Sequence, residues 1–363
     1  MLSVYYDYQI MLAQRYGGIS RYIYEISSRL PALGAEVKIG CVHNHNCYFA
    51  DSLGMYDMSD YGRILRLMEL GTFHYVNRFK RCIELKRGKH DIFHPTYYYA
   101  SKPEYGKFVV TVHDMTHEKF SGIYPVNQRV IAAKRKIIPQ ADRIIAVSEN
   151  TKRDIIEYYP DINPAKITVI YHGASMPMGN SNVNPLSYDY VLFVGSRAMY
   201  KNFSRFTQAM KDIMSRNDSI HVFCAGGGAF TPEELAMFGE YSSRFHQAGL
   251  SDEELSGAYR NALCFVFPSE YEGFGIPVLE AFACSCPVVC AKSSSLPEVA
   301  GDVAVYFDPL DTDSIGAGIM RVLEDCDLRE RLRRGGRERL KMFDWDKAAK
   351  ETLECYKLAV KGE

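Results

Sequence analysis

Short apolar runs alternate along this chain with segments of helical period, and the alternation happens twice. In the first half the runs are residues 2–6, 36–42, 92–94, 108–112, 143–147 and 167–170; in the second they are 190–194, 219–225, 264–267, 287–291 and 304–307. Amphipathic stretches such as 21–30, 127–138 and 202–214 lie between them. A run apolar on both faces suits a buried strand, so the pattern predicts parallel sheets covered by helices on both sides. Residues 176–187, rich in Pro, Asn and Ser and without periodicity, read as a linker. The 363 residues exceed what one core serves at roughly 150 residues per domain. The expected fold class is therefore α/β, with two doubly wound domains, 1–178 and 187–344, across a cleft. A C-terminal segment, 345–363, follows; its residues 345–358 have the period of an amphipathic helix able to cross back to the first domain.

Hydrophobic residues make up 47% and charged residues 24%, the balance of an ordinary globular chain. The net charge of −1 argues against nucleic acid as a partner. No stretch reaches the ~18 apolar residues of a membrane helix, and the N-terminus lacks the basic start and apolar core of a leader, so a cytoplasmic protein is expected. The ten cysteines are scattered, and Cys224, Cys264 and Cys290 fall inside apolar runs, as reduced structural thiols do. Cys41 and Cys47 flank His43 and His45 without a C-x-x-C pair, which reads as a polar loop rather than a zinc site. Three D-x-D triplets, at Asp311-Thr312-Asp313, Asp325-Cys326-Asp327 and Asp344-Trp345-Asp346, each precede a helical pattern and read as caps. Thr231 with Glu234, and Ser251 with Glu254, have capping-box spacing. Neither a metal nor a cofactor is expected.

The stretch most suggestive of chemistry is Pro268-Ser269-Glu270-Tyr271-Glu272-Gly273-Phe274-Gly275-Ile276-Pro277-Val278-Leu279-Glu280, which leaves a buried strand and enters a helix. Ligands of open α/β sheets bind at such strand ends, and free N–H groups at a helix start favour a diphosphate. Gly273 and Gly275 permit close backbone approach, while Glu272 and Glu280 can each accept sugar or ribose hydroxyls. Alone, the same residues also read as a plain turn with acids complementing the helix dipole. A second feature shifts the balance. In Phe193-Val194-Gly195-Ser196-Arg197-Ala198-Met199-Tyr200-Lys201-Asn202 a strand ends in glycine and delivers two cations, Arg197 as a fork and Lys201 as a point charge. Two solvated surface cations are the alternative.

Arg197 with Lys201, the E-x7-E spacing of Glu272 and Glu280, the Gly249-Leu250-Ser251-Asp252 turn and Ser295-Leu296-Pro297-Glu298-Val299 resemble family 4 retaining glycosyltransferases of the GT-B fold. The likeness extends through Gly17-Gly18-Ile19-Ser20-Arg21-Tyr22, Thr111-Val112-His113-Asp114 and Ala146-Val147-Ser148-Glu149-Asn150-Thr151, essentially the whole chain. It implies two Rossmann-like domains, the first binding acceptor and the second binding a nucleotide-sugar donor. It further implies that Glu272 holds the donor sugar, Glu280 the ribose, and Arg197 and Lys201 the diphosphate. Gly273, Phe274, Gly275 and Ile276 would line the donor, Gly17 and Gly18 would close over it, and Leu250 and Ser251 would border the base. His113 matches the family's histidine near the transferred sugar.

The expected activity is retaining transfer of a hexose, with mannose from GDP-mannose favoured by overall likeness to mannosyltransferase-like members. The acceptor would be a glycan or lipid-linked glycan of bacterial polysaccharide or lipopolysaccharide synthesis. Charge on the departing nucleoside diphosphate would be met by the two cations and the helix start, without a metal, and front-face attack is favoured because no nucleophile stands out. UDP-glucose or UDP-N-acetylglucosamine as donor, a nucleotide-sugar epimerase and a non-catalytic nucleotide-sugar-binding scaffold are the other readings. The basic, aromatic stretch 63–89 reads either as peripheral contact with the inner face of the membrane or as a solvated helix face.

Overall fold

The computed structural model describes residues 1–53, 63–87, 90–122, 128–174, 184–197 and 199–362, with residues 63–70 and 87 described as backbone alone. Two compact units emerge, one of Met1–His172 with Trp345–Glu363, the other of Gly173–Asp344. The expected boundary at 178, residues 176–183 of the linker, Ala198, and residues 88 and 89 of the basic stretch lie outside the described residues.

The first unit holds β1 (Leu2–Asp7), β2 (Ala35–Gly40), β3 (Ile92–His94), β4 (Lys107–Val112), β5 (Arg143–Ala146) and β6 (Ile167–Val169). All pair in parallel in the order β2-β1-β3-β4-β5-β6, with Val4 opposite Val37 on one side and Ile92 on the other. Chain order reverses between β1 and β3. The helix Gly18–Arg29 lays Tyr22, Ile23 and Ile26 on the sheet. Beside it packs the helix Trp345–Lys361, which contributes Trp345, Ala348, Ala349, Leu353 and Tyr356 to the same core.

A buried polar chain fixes that helix. The Tyr6 and Tyr356 hydroxyls share a hydrogen bond at 2.6 Å, the Tyr356 hydroxyl meets His94 Nδ1 at 2.6 Å, and His94 Nε2 meets Thr111 Oγ1 at 2.9 Å. Tyr22 completes the chain through its hydroxyl on Thr111 Oγ1, 3.0 Å away. Each polar group is paired, so its burial does not carry the cost of an orphaned donor or acceptor.

The second unit holds β7 (Tyr190–Val194), β8 (His221–Ala225), β9 (Phe245–Ala248), β10 (Cys264–Phe267), β11 (Val288–Ala291) and β12 (Val305–Phe307), all parallel, in the order β12-β11-β10-β7-β8-β9. Counted within the unit this is 3-2-1-4-5-6, the Rossmann order, whose reversal between β7 and β10 opens a ligand crevice at the strands' carboxyl ends. The edge strand β9 was not expected: Phe-His-Gln-Ala carries too little apolar signal, and pairing with β8 supplies the rest. Asp311 caps its helix by accepting from the Asp313 and Ser314 N–H groups, and Asp325 accepts from Leu328 N. Asp344 directly precedes the helix Trp345–Lys361. Both capping boxes form. Among the described residues all ten cysteines are free, no helix is long and apolar enough to cross a membrane, and His, Cys, Asp and Glu form no metal-holding cluster.

Candidate functional site

The β7 and β10 loops of the second unit are tied together at the sheet's reversal. Leaving β7, Gly195 takes a left-handed φ of 108° and the chain turns through Met199–Lys201 into the helix Phe203–Met214. Asn202, buried and also left-handed, anchors this turn by donating from Nδ2 to Pro309 O at 2.6 Å. Leaving β10, Glu270 donates its N–H to Tyr200 O at 2.8 Å, and its carboxylate pairs with Arg205 at 2.8 Å. The decisive contact is between Lys201 Nζ and Glu272 Oε1, 2.5 Å apart, with both side chains mostly buried.

Three consecutive serines hold the Glu272 loop from behind. Ser293 Oγ donates to Ser269 O at 2.9 Å, Ser294 Oγ accepts the Glu272 N–H at 2.9 Å, and Ser295 Oγ lies 2.9 Å from Glu272 O and 2.8 Å from Phe274 O. Gly273 and Phe274 are buried within this loop. Gly275, at φ 109°, then turns the chain into the helix Ile276–Ala283, with Pro277 in its first turn and Ile276 partly exposed at its start. Glu280 is buried one turn in and accepts from the Tyr259 hydroxyl at 3.1 Å. Burial and the Glu280 carboxylate hold that phenol well above its ordinary range.

Arg197 goes elsewhere. Its Nε donates to Glu234 at 2.6 Å, and its two terminal nitrogens donate to the carbonyls of Gly226, Gly228 and Ala229 at 3.2, 2.9 and 2.9 Å. It braces the loop after β8, where Gly226, Gly227 and Gly228 all have left-handed φ, while Lys201 pairs with Glu272. Four side-by-side acceptors win over an exposed position because a guanidinium fork satisfies them at once. Ser251 caps the helix Asp252–Asn261 with its hydroxyl committed to Glu254, and Leu250 precedes it, half-buried.

In the first unit Gly17 and Gly18 open the helix Gly18–Arg29, with Gly17 O accepting from Arg21 N and the Gln14 side chain accepting Ser20 N. His113 follows β4, its N–H donating to the Tyr98 hydroxyl at 3.2 Å and its ring edge-on to Tyr22. Burial pushes its pKa down to about 4, with Asp114 opposing the shift and Lys134 adding to it, so the ring is neutral near pH 7. The structure thus pairs Lys201 with Glu272 at the ends of β7 and β10, with Gly273, Phe274 and Gly275 in the same loop and Glu280 in the helix that follows it. The sequence reading named Ser295 within a motif but missed Ser293, Ser294, the Gly226–Gly228 turn and Tyr259. The repeated Ser and Gly letters were the only signal for the two serines and the turn.

Family profiles match nearly end to end: Glycosyltransferase Family 4 over residues 16–176 and Glycosyl transferases group 1 over residues 180–339. The chain belongs to this glycosyltransferase family. The O-antigen chain mannosyltransferase B of Escherichia coli is 27% identical over 370 residues, covering 94% of this chain and 96% of the relative. Among solved structures, the sucrose-phosphate synthase of Thermosynechococcus elongatus superposes with a TM-score of 0.73 at 18% identity, each chain covered in full. Anabaena HepE, solved with UDP and glucose, gives 0.69 at 15% identity and 98% coverage of both. At such identities the likeness concerns the fold, and that fold is GT-B. This glycosyltransferase takes a nucleotide-sugar donor and a glycan acceptor as its family does, and its second unit carries Glu272 and Glu280 on one loop and helix.

Proposed function

We propose that this glycosyltransferase moves a mannosyl residue from GDP-mannose, with retention of configuration, to a lipid-linked glycan of a bacterial surface polysaccharide. The carrying observation is the Lys201–Glu272 pair at the reversal between β7 and β10. A bound donor would exchange that ion pair for two better-matched contacts, phosphate oxygens on the ammonium and sugar hydroxyls on the carboxylate. Lys201 and the N–H groups opening the helix Ile276–Ala283 would then meet the charge that grows on the departing nucleoside diphosphate. Arg197 would join them by releasing the carbonyls of Gly228 and Ala229, the exposed pair among its acceptors. Glu280, oriented by Tyr259, would accept the ribose hydroxyls, and Leu250 and Ser251 would border the base. Gly17 and Gly18 would approach the phosphates, and a neutral His113 would bond a hydroxyl of the transferred sugar.

These groups provide for leaving-group departure without a metal or other cofactor, and front-face attack by the acceptor is the accompanying route. The mannosyl assignment is supported by the O-antigen mannosyltransferase and by a second relative named MMP alpha-(1->4)-mannosyltransferase, 25% identical over 236 residues. Placement on the cytoplasmic face of the membrane follows from a nucleotide-sugar donor, and exposed Tyr75 and Phe79 on the helix Arg63–Arg87 suit peripheral contact. A thermal-shift screen against GDP, UDP, dTDP, ADP and their sugar conjugates, with and without EDTA, tests the reading. GDP-mannose should stabilise the protein in EDTA, and Lys201→Ala and Glu280→Ala should abolish the shift. Stabilisation by another nucleotide alone replaces the donor, and binding only with metal refutes the metal-free route.

A further inference from the structure

A cavity of about 660 Å³ opens in the first unit at the carboxyl ends of β1 and β3, where that sheet's order reverses. Its walls begin at Tyr8, directly after β1, and at Tyr98, four residues after β3, so it occupies the position in which open α/β sheets hold ligands. Two helices supply the rest. The helix Arg63–Arg87 contributes His74, Arg78 and Arg81 at i, i+4 and i+7, and the helix Gln128–Ile137 contributes Arg129 and Lys136 at i and i+7, with the small Ala132 and Ala133 at i+3 and i+4. No carboxylate is among the described lining residues. Arg81 is held in place by Asp7, 3.0 Å away beneath the cavity, and by Tyr99 O at 3.2 Å. Arg78, Arg129 and Lys136 are exposed, and among the described residues none has an acidic partner. Burial together with Arg78 and Arg81 lowers the His74 pKa, as a locally positive field does.

Three exposed cations without an acidic partner among the described residues, converging with the Asp7-paired Arg81 on one cavity, leave mutual repulsion that an anion relieves. Guanidinium forks fit the paired oxygens of a phosphate. We propose that this cavity binds the phosphate or diphosphate group of the acceptor. Through Tyr98, whose hydroxyl takes the His113 N–H, the cavity adjoins the histidine loop of the same unit. The inference rests on the transferase reading for the word acceptor, and on the cavity itself for the anion.

The experiment is a calorimetric titration of inorganic pyrophosphate into the full-length protein, the triple variant Arg78→Ala/Arg129→Ala/Lys136→Ala, the single variant Arg129→Ala, and Lys201→Ala. The triple variant should bind at least tenfold more weakly and the single variant should fall between, while Lys201→Ala keeps the wild-type cavity affinity. Circular dichroism melts establish that each variant is folded. With an alkyl glycoside acceptor that carries or lacks a diphosphate between sugar and alkyl chain, the triple variant should raise KM at least tenfold for the diphosphate form only. Pyrophosphate binding that is absent, or lost only in Lys201→Ala, overturns the proposal, as does an equal KM change for both acceptors. If the triple variant loses phosphatidylglycerol vesicles while pyrophosphate titrates unchanged, the cations serve the bilayer and the proposal also fails. Slow donor hydrolysis by the wild type without acceptor reads the transferase assignment alone, so its absence would refute that assignment and leave the pyrophosphate result standing.

Discussion

Gly275 shows how narrowly one residue is specified. Its φ of 109° is a conformation that L side chains rarely adopt, and an added Cβ would stand 2.9 Å from the Cδ2 of fully buried Leu296. Gly275→Ala should cost about 1–3 kcal/mol in urea unfolding. Gly249→Ala, where a Cβ meets nothing within 4 Å, should stay within about 0.5 kcal/mol. Equal losses at both sites would contradict the strain argument. His94 carries a different liability. Burial, with a smaller contribution from His113, pushes its pKa down to about 3 in the folded chain, against an ordinary value near 6.5. The unfolded chain then binds more protons throughout that window, so stability rises with pH across it, is complete above the ordinary value, and drains away as pH falls toward the folded one. Between pH 7 and pH 5 this single histidine should cost about 2 kcal/mol. Denaturation midpoints at the two pH values, compared with those of His94→Gln, measure it; identical pH slopes would refute it.

At the scale of elements, the serine triplet after β11 sets the loop that carries Glu272. Ser295 Oγ has one proton for two carbonyls, Glu272 O and Phe274 O, so Ser295→Ala leaves both carbonyls without it inside a buried turn. The expected outcome is a loss of about 1–3 kcal/mol in donor affinity or in stability, read by nucleotide titration beside a thermal melt. A variant unchanged in both would show that the loop holds itself. The strands around this loop were legible because residues buried on both faces leave apolar runs, and β9 escaped because its pairing, rather than its letters, makes it a strand. The E-x7-E spacing could be placed on one loop and helix because the intervening chain is local. The direction of Arg197 could not, since its carbonyl acceptors lie 29 to 32 positions away in a glycine turn whose shape no periodicity announces. Tyr356 and His94, 262 positions apart, are further still from any local signal.

For the whole molecule, two sheets in two contact units should not melt as one transition. The proposed donor site lies within the second unit, so on that proposal a nucleotide at 100 times its Kd should add about 2.7 kcal/mol to that unit's unfolding. Scanning calorimetry should resolve a ligand-shifted transition and a ligand-insensitive one, and Tyr356→Phe should lower only the latter. A single transition that moves as a block would mean that the units unfold together.

The helix Trp345–Lys361 belongs to the first unit but follows the second in the chain, which orders events during synthesis. The face formed by Tyr6, Tyr22 and Ile26 emerges from the ribosome early, yet the Trp345 and Tyr356 side chains that cover it arrive only after residues 173–344 have been made. At ~5–20 residues per second, that gap lasts on the order of 10–30 s. Throughout it an apolar, half-finished surface is open to the crowded cell, so the first unit, although translated first, is the last to become complete.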